Sequence, residues 1–338
     1  MKLEEKDPFF SIVISTRDRP ELFQVALESV LDQSFENIEV VVVIDGSTDE
    51  NLASYAQIER LRSAVKFLWL VPRTNGHGQS YTMNFGASQS RGRYLCFLDD
   101  DDQWTDNSYL ENVFDNIAAS KAHVDLHYSN QRAITSEGVM LERDVWLDDL
   151  IPKAVHETKN TQESYSVDAH FLLSGNGFAH LNCTIFERQF YASMDGMDES
   201  IRYENDRDIY IRSIDAASVM LFSTRYISLH NIPDIKAKNN MSTVSSAITK
   251  KLYQMHVYDK GISLSKKREV VLFCCRGKVY EMKHAATMLA HKKQYRSAAF
   301  YARAALPNGF NPRWLAYTVY LTIQSWIKPH VSSKDSVS

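Results

Sequence analysis

Cysteine is scarce, with four in 338 residues at positions 96, 183, 274 and 275. Their spacing matches neither a metal-ligand pattern nor a disulfide framework. The adjacent pair Cys274 and Cys275 reads more simply as small buried apolar side chains, in keeping with a reducing cytoplasm. No run approaches the roughly 18 uninterrupted apolar residues of a spanning helix. The opening MKLEEKDPFF has charges but no apolar h-region, so neither export nor membrane spanning is expected.

What remains is an ordinary globular composition, 44% hydrophobic and 24% charged, which excludes wholesale disorder. The length suffices for one large domain, or for a core domain with an appendage. A net charge of −4 conceals an asymmetry. From Lys250 to Ser338 there are 16 Lys and Arg against 4 Asp and Glu, a net of +12, against −16 over the first 249 residues. The basic segment either packs on the acidic body or is drawn to an anionic surface.

The runs FFSIVIS (9–15), IEVVVVI (38–44), VKFLWLV (65–71) and YLCFL (94–98) are continuous rather than alternating, the pattern of strands buried on both faces of a parallel sheet. Phe23, Ala26, Leu27, Val30 and Leu31 follow helical spacing after Pro20, and GQSYTMNFGASQS reads as another helix, giving an order βαβαβαβ. Ligands of such sheets lie beyond the carboxyl ends of the strands. There Ser15 to Asp18, Asp45 to Asp49 and the four acids Asp99 to Asp102 would gather. Four adjacent carboxylates repel one another unless solvent or a cation takes up the charge. From about 106 to 168 the pattern weakens, with SEGVM a hairpin turn and LERDVWLDDLIPKA a loop or helix. Beyond Lys250 the chain reads as helical, with one tetratricopeptide-like stretch at Tyr295 to Leu306. The apolar segment Trp314 to Ile327 is either a core helix or an interfacial one, and SSKDSVS reads as a disordered tail.

Four stretches in order, FSIVISTRDRPELFQVALESVLDQSFENIEVVVVIDGSTDE, GRYLCFLDDDDQW, CTIFERQFYASMDGMDES and ENDRDIYIR, resemble the family 2 inverting glycosyltransferases of the GT-A fold, over about 10–232. The resemblance implies an α/β fold with a mostly parallel central sheet flanked by helices and a C-terminal helical appendage. It implies a catalytic domain over 1–245 (nucleotide half about 9–105, acceptor half about 106–235), a basic helical region over 246–330 and a tail over 331–338. It places Ser15, Arg17, Asp45, Asn84 and Asp100 around the nucleotide, with Asp45 accepting from a base N–H, which favours uracil. It makes Asp99 and Asp101 a D-x-D pair for Mg²⁺ or Mn²⁺, Asp101 foremost, with Asp102 adjacent and His230 approaching the metal. Asp206 becomes the general base, with Glu204 and Asp208 in reserve.

Three departures stand out: only Asp45 of a frequent acid pair is kept, Met83 replaces an arginine near the diphosphate, and Asn205 replaces a glutamate beside the base. The implied activity is metal-dependent transfer of a sugar, from a UDP-sugar by preference, to a glycan or lipid-linked glycan hydroxyl in surface polysaccharide synthesis. The location implied is the cytoplasm, at the inner face of a membrane, and no nucleic acid is expected. Two alternatives stay open. One is a nucleotide-sugar-binding module without catalysis; the other is a sugar-1-phosphate nucleotidyltransferase, against which STRDRPE lacks the glycines of a triphosphate loop.

Overall fold

A computed structural model describes residues 7–141, 146–232, 246–308 and 310–327. The tail 331–338, the first six residues and part of the 141–154 stretch fall outside them. The described residues divide into two compact units, one before and one after 233–245.

The first unit follows the apolar runs. Strands β1 (Phe10–Thr16), β2 (Ile38–Ile44), β3 (Lys66–Trp69) and β4 (Tyr94–Asp99) alternate with helices α1 (Pro20–Leu31), α2 (Asp49–Leu61) and α3 (Gln79–Ser88). They pair in the order β3-β2-β1-β4, all parallel. Alternation along β1 divides its neighbours. Phe10, Ile12 and Ile14 join Phe23, Ala26, Leu27 and Val30 of α1 in one core, while Ser15 faces α3, where its hydroxyl meets that of Thr82 at 2.6 Å. Register aligns the strand ends, with Thr16 opposite Ile44 and Ser15 opposite Asp99. Everything after these residues therefore lies along one edge of the sheet.

Beyond β4 the sheet changes character. Strand β5 (Gln103–Trp104) and helix α4 (Tyr109–Ala119) lead to β6 (Leu126–Ile134). Short pieces follow: α5 (Ile151–Ala154), β7 (Thr158–Lys159), β8 (Ser164–Val167), α6 (Ala169–Leu172), β9 (Thr184–Glu187) and α7 (Arg188–Ser193). Helix α8 (Asn205–Ala216) and strand β10 (Met220–Asn231) close the unit. The order continues β4-β9-β6-β10-β8-β7, with β9 antiparallel to both neighbours and β6 parallel to β10. The parallel character is thus that of the first half, and the second half is mixed. The SEGVM turn forms as expected, with Gly138 at φ +80° and Ile134 bridged to Met140. Strand β5 pairs antiparallel with the end of β10, Ser228 opposite Trp104 and Leu229 opposite Gln103. This pairing carries residue 230 back to the tip of β4.

The second unit is helical throughout: Ala247–Leu264, Arg268–His291, Tyr295–Ala304 and Pro312–Ile327. Small residues make its core. Ala286, Ala298, Ala299 and Ala302 pack with Leu289 and Leu321, with Trp314 and Tyr317 against them. No helix among the described residues is long and apolar enough to cross a membrane.

Candidate active site

The four acids after β4 have four different surroundings. Asp99, at the end of the strand, accepts from Gln79 Nε2 at 2.6 Å and lies 3.7 Å from His180 Nε2. Asp100 is buried and paired with Arg19, which also donates to Asp101 at 2.7 Å. Asp102 is buried as well. Its Oδ2 accepts from Asn182 and, at 2.8 Å, from His230 Nδ1, and its Oδ1 accepts from Asn231 N–H at 2.8 Å. Asn231 also donates to the Asp101 carbonyl at 2.6 Å. Arg19 answers two of the four charges. It follows shortly after β1, two residues from Arg17, and is one of the residues that the sequence reading passed over.

The electrostatics of the cluster remain strained. Desolvation, then Asp102, Asp101 and Asp206, push the Asp99 carboxyl well above the usual range. Asp100 is pushed up to about 7 by burial in spite of Arg19, and its Oδ2 is buried with no partner. Two sets of ligand atoms lie within 4.8 Å of one another: Asp99, Asp101 and Asp102, and, sharing Asp102, the trio Asp102, His180 and His230. Three hard carboxylate oxygens brought this close together fit a divalent cation. His180 suits the same purpose, because burial and the neighbouring His230 lower its pKa to about 4 and keep its ring neutral. For His230, burial opposes the charged form but Asp102 outweighs it and raises the pKa.

Asp45, just past β2, is buried under the turn 76–78. Its carboxylate accepts from His77 N–H (2.8 and 2.9 Å), His77 Nδ1 (2.6 Å) and Gly78 N–H (3.1 Å). Glycines are required here. Gly76 and Gly78 have φ of +63° and +99°, and a Cβ on Gly76 would lie 2.5 Å from Asp45 Oδ2 and 2.6 Å from Arg17 Nη1. Arg17 braces the same turn through the carbonyls of Arg73 and Thr74 (3.3 and 3.1 Å). The His77 ring stacks on Tyr81, centroids 5.0 Å apart. Against the other side of Gly78 lies the exposed Arg202 guanidinium, 2.1 Å from where a Cβ would stand.

Helix α8 presents Asp206 to the cluster. Burial raises its pKa to about 6, offset by the Leu181 N–H donating to Oδ1 at 3.4 Å; Glu204, His230 and Asp102 act on it more weakly. Glu204 and Asp208 are engaged elsewhere. Glu204, at φ +69°, pairs with Arg207 at 2.5 Å, and buried Asp208 with Arg212 at 2.8 Å, whose guanidinium also bonds the Met194 and Gly196 carbonyls. Asn205 donates to Gln79 Oε1 at 3.0 Å, and Gln79 donates in turn to Asp99. A neutral amide at 205 thus ties α8 to α3 and β4.

Of the residues singled out from sequence, Asp99, Asp101, Asp102, His230 and Asp206 converge, with Asp100 beside them. Asp45 and Arg17 meet around the 76–78 turn. Ser15 is held in the contact with α3. Asn84 is held further along α3, its amide bonded to Met197, Glu199 and Tyr191. Met83, in the place of an arginine, is core. Gln79, His77, Asn182, His180 and Arg202 carried no sequence signal, each being a single residue outside any motif.

A model for glycosyl transferase family 2 matches residues 11–173, from β1 to just past α6. The amylovoran biosynthesis glycosyltransferase AmsB of Erwinia amylovora is 28% identical over 211 residues, 62% of this chain and 64% of AmsB. The chain therefore spans less than two thirds of that relative's length. S. aureus TarS 1–349, solved in complex with UDP-GlcNAc, superposes with a TM-score of 0.63 at 15% identity, covering 93% of this chain and 87% of that one. The mannosyltransferase PcManGT from Pyrobaculum calidifontis, solved with GDP-Man and Mn²⁺, gives 0.57 at 14% identity, covering 96% and 86%. At such identities the structural likeness speaks for the fold alone. The family model lies on the strands that bear the acids, so over those residues the chain is similar to glycosyl transferase family 2, and it is built on the GT-A fold.

Proposed function

We propose that the first unit transfers a sugar from a nucleotide-sugar, a UDP-sugar by preference, to an acceptor hydroxyl with inversion at the anomeric carbon. The observation that carries this reading is the convergence of Asp99, Asp101 and Asp102 within 4.8 Å, beside an Asp206 whose pKa is raised to about 6. The relatives' names support it: AmsB is a biosynthetic glycosyltransferase, TarS was solved with UDP-GlcNAc, and PcManGT with GDP-Man and Mn²⁺.

Asp101, Asp99 and Asp102, with His230 and His180 at the flank, would hold Mg²⁺ or Mn²⁺. When bound, the cation would neutralise charge on the departing diphosphate. Arg202, exposed over Gly78, is placed to receive a phosphate oxygen and to stand in for the arginine missing at 83. Asp45 works through the turn it anchors, so that the base and ribose lie against His77 and the backbone of 76–78. Asp206 takes the proton from the acceptor hydroxyl as that oxygen bonds to the anomeric carbon and the bond to the diphosphate oxygen breaks. The acceptor is a glycan or lipid-linked glycan, the setting cytoplasmic, and the catalytic domain comprises about 1–245.

Nucleoside diphosphate release from a panel of nucleotide-sugars tests this. Slow release is expected with Mn²⁺, lost with EDTA and in Asp101→Ala. Nucleotide binding without turnover under every condition overturns catalysis, and a product that retains the donor's anomeric configuration overturns inversion.

A further inference from the structure

The last described helix, Pro312–Ile327, is apolar on two opposite sides. Inward it buries Thr318 and Leu321 against the alanine core. Outward, Leu315, Val319, Tyr320, Ile323, Trp326 and Ile327 are exposed by between 40% and 79%. Positions 315, 319, 323 and 326 follow one another along a single line of the helix, and the only charged residue between Pro312 and Ile327 is Arg313. A helix without a polar face is out of place in water.

The surface continues onto the neighbouring helix. Arg296, Phe300 and Arg303 share its outer side, Phe300 is 59% exposed, and Arg303 Nη1 donates to Thr322 Oγ1 at 3.4 Å, beside the stripe. Two of the unit's few acids are already engaged within it, Glu281 with Lys251 at 2.6 Å and Asp259 with Lys278. From Lys250 onward the chain carries a net charge of +12.

We propose that this face, with Phe300, Val319, Ile323 and Trp326 at its centre and Arg296 and Arg303 at its border, docks on an anionic phospholipid surface. The apolar line enters the headgroup boundary, the Trp326 ring lies at the level where indoles partition, and the arginines meet lipid phosphates. A second copy is a poorer occupant, because a two-fold axis through the stripe would set like arginines near one another. The proposal does not depend on the sugar-transfer reading.

Cosedimentation of the full chain with phosphatidylglycerol/phosphatidylcholine vesicles, against phosphatidylcholine alone, tests it. Capture at least about tenfold stronger on the anionic vesicles is expected, weakened by salt. Val319→Glu/Ile323→Glu and Arg296→Glu/Arg303→Glu should each reduce it by about tenfold or more while donor turnover is kept. Should the glutamates unsettle the helix, Phe300→Ser/Trp326→Ser changes only strongly exposed side chains and should weaken capture in the same direction. No capture of the intact chain, capture retained by all these variants, or a lipid-free dimer dissolved by Val319→Glu/Ile323→Glu would each overturn the proposal.

Discussion

The two units break opposite rules of globular folding. The first takes carboxylates out of water at the tip of β4, where Asp100 and Asp102 are 1% exposed, and gives the four acids one arginine and a histidine. The second leaves apolar side chains in water along Pro312–Ile327, with Trp326 79% exposed. In the first, charge is held where folding alone would neutralise it; in the second, burial stops short although apolar surface remains. On the readings proposed above, each departure answers to something that arrives from outside, a cation with a nucleotide in one case and an apolar, anionic boundary in the other. Removing a buried charge should therefore disturb the molecule in a way that removing an exposed indole does not.

The largest effect is expected at Asp206. Asp206→Asn should lower turnover about 10²- to 10⁴-fold with an unchanged circular dichroism spectrum. The intact enzyme should lose activity as pH falls through about 6, because the base works only when deprotonated and its carboxyl is raised to about 6 by burial. A pH–rate profile flat from 5 to 8 would deny it that role. Next comes Arg19→Ala, which strands the buried Asp100 carboxylate. Denaturant unfolding should show a loss of about 3 kcal/mol, since one partner of a buried pair is left alone.

A smaller change of opposite sign is expected from Asp99→Asn. The amide relieves the repulsion that raises the Asp99 pKa, so the metal-free protein should melt a few degrees higher while Mn²⁺ stabilises it less than it does the parent. A lower melting temperature would mean that the carboxylate serves the fold through Gln79 rather than a ligand. The smallest effect belongs to the second unit. Trp326→Ala should leave thermal stability within about 0.5 kcal/mol, whereas a loss above about 2 kcal/mol, measured by denaturant, would show that the side chain is already covered.

The parallel half of the fold could be read along the chain because its signals are local. Continuous apolar runs gave β1, β2 and β4, and the spacing of Phe23, Ala26, Leu27 and Val30 gave the buried side of α1. The mixed half could not, because β5, β7, β8 and β9 are two to four residues long, too short for any period to show, and are defined by their partners. The helix Pro312–Ile327, which sequence left between core and interface, has one buried side and one exposed apolar side.

Sequence by itself determined which carboxylates stand past the strand ends, since a strand that ends in Asp99 delivers Asp100 to Asp102 to the same edge by covalent continuity. Only the tertiary structure decided how they are used. Pairing of β5 with β10 brings His230 onto Asp102, α8 brings Asp206 from a hundred residues away, and Arg19 reaches across from β1 to select Asp100 and Asp101. Those choices depend on distances through space, which the order of residues along a chain does not contain.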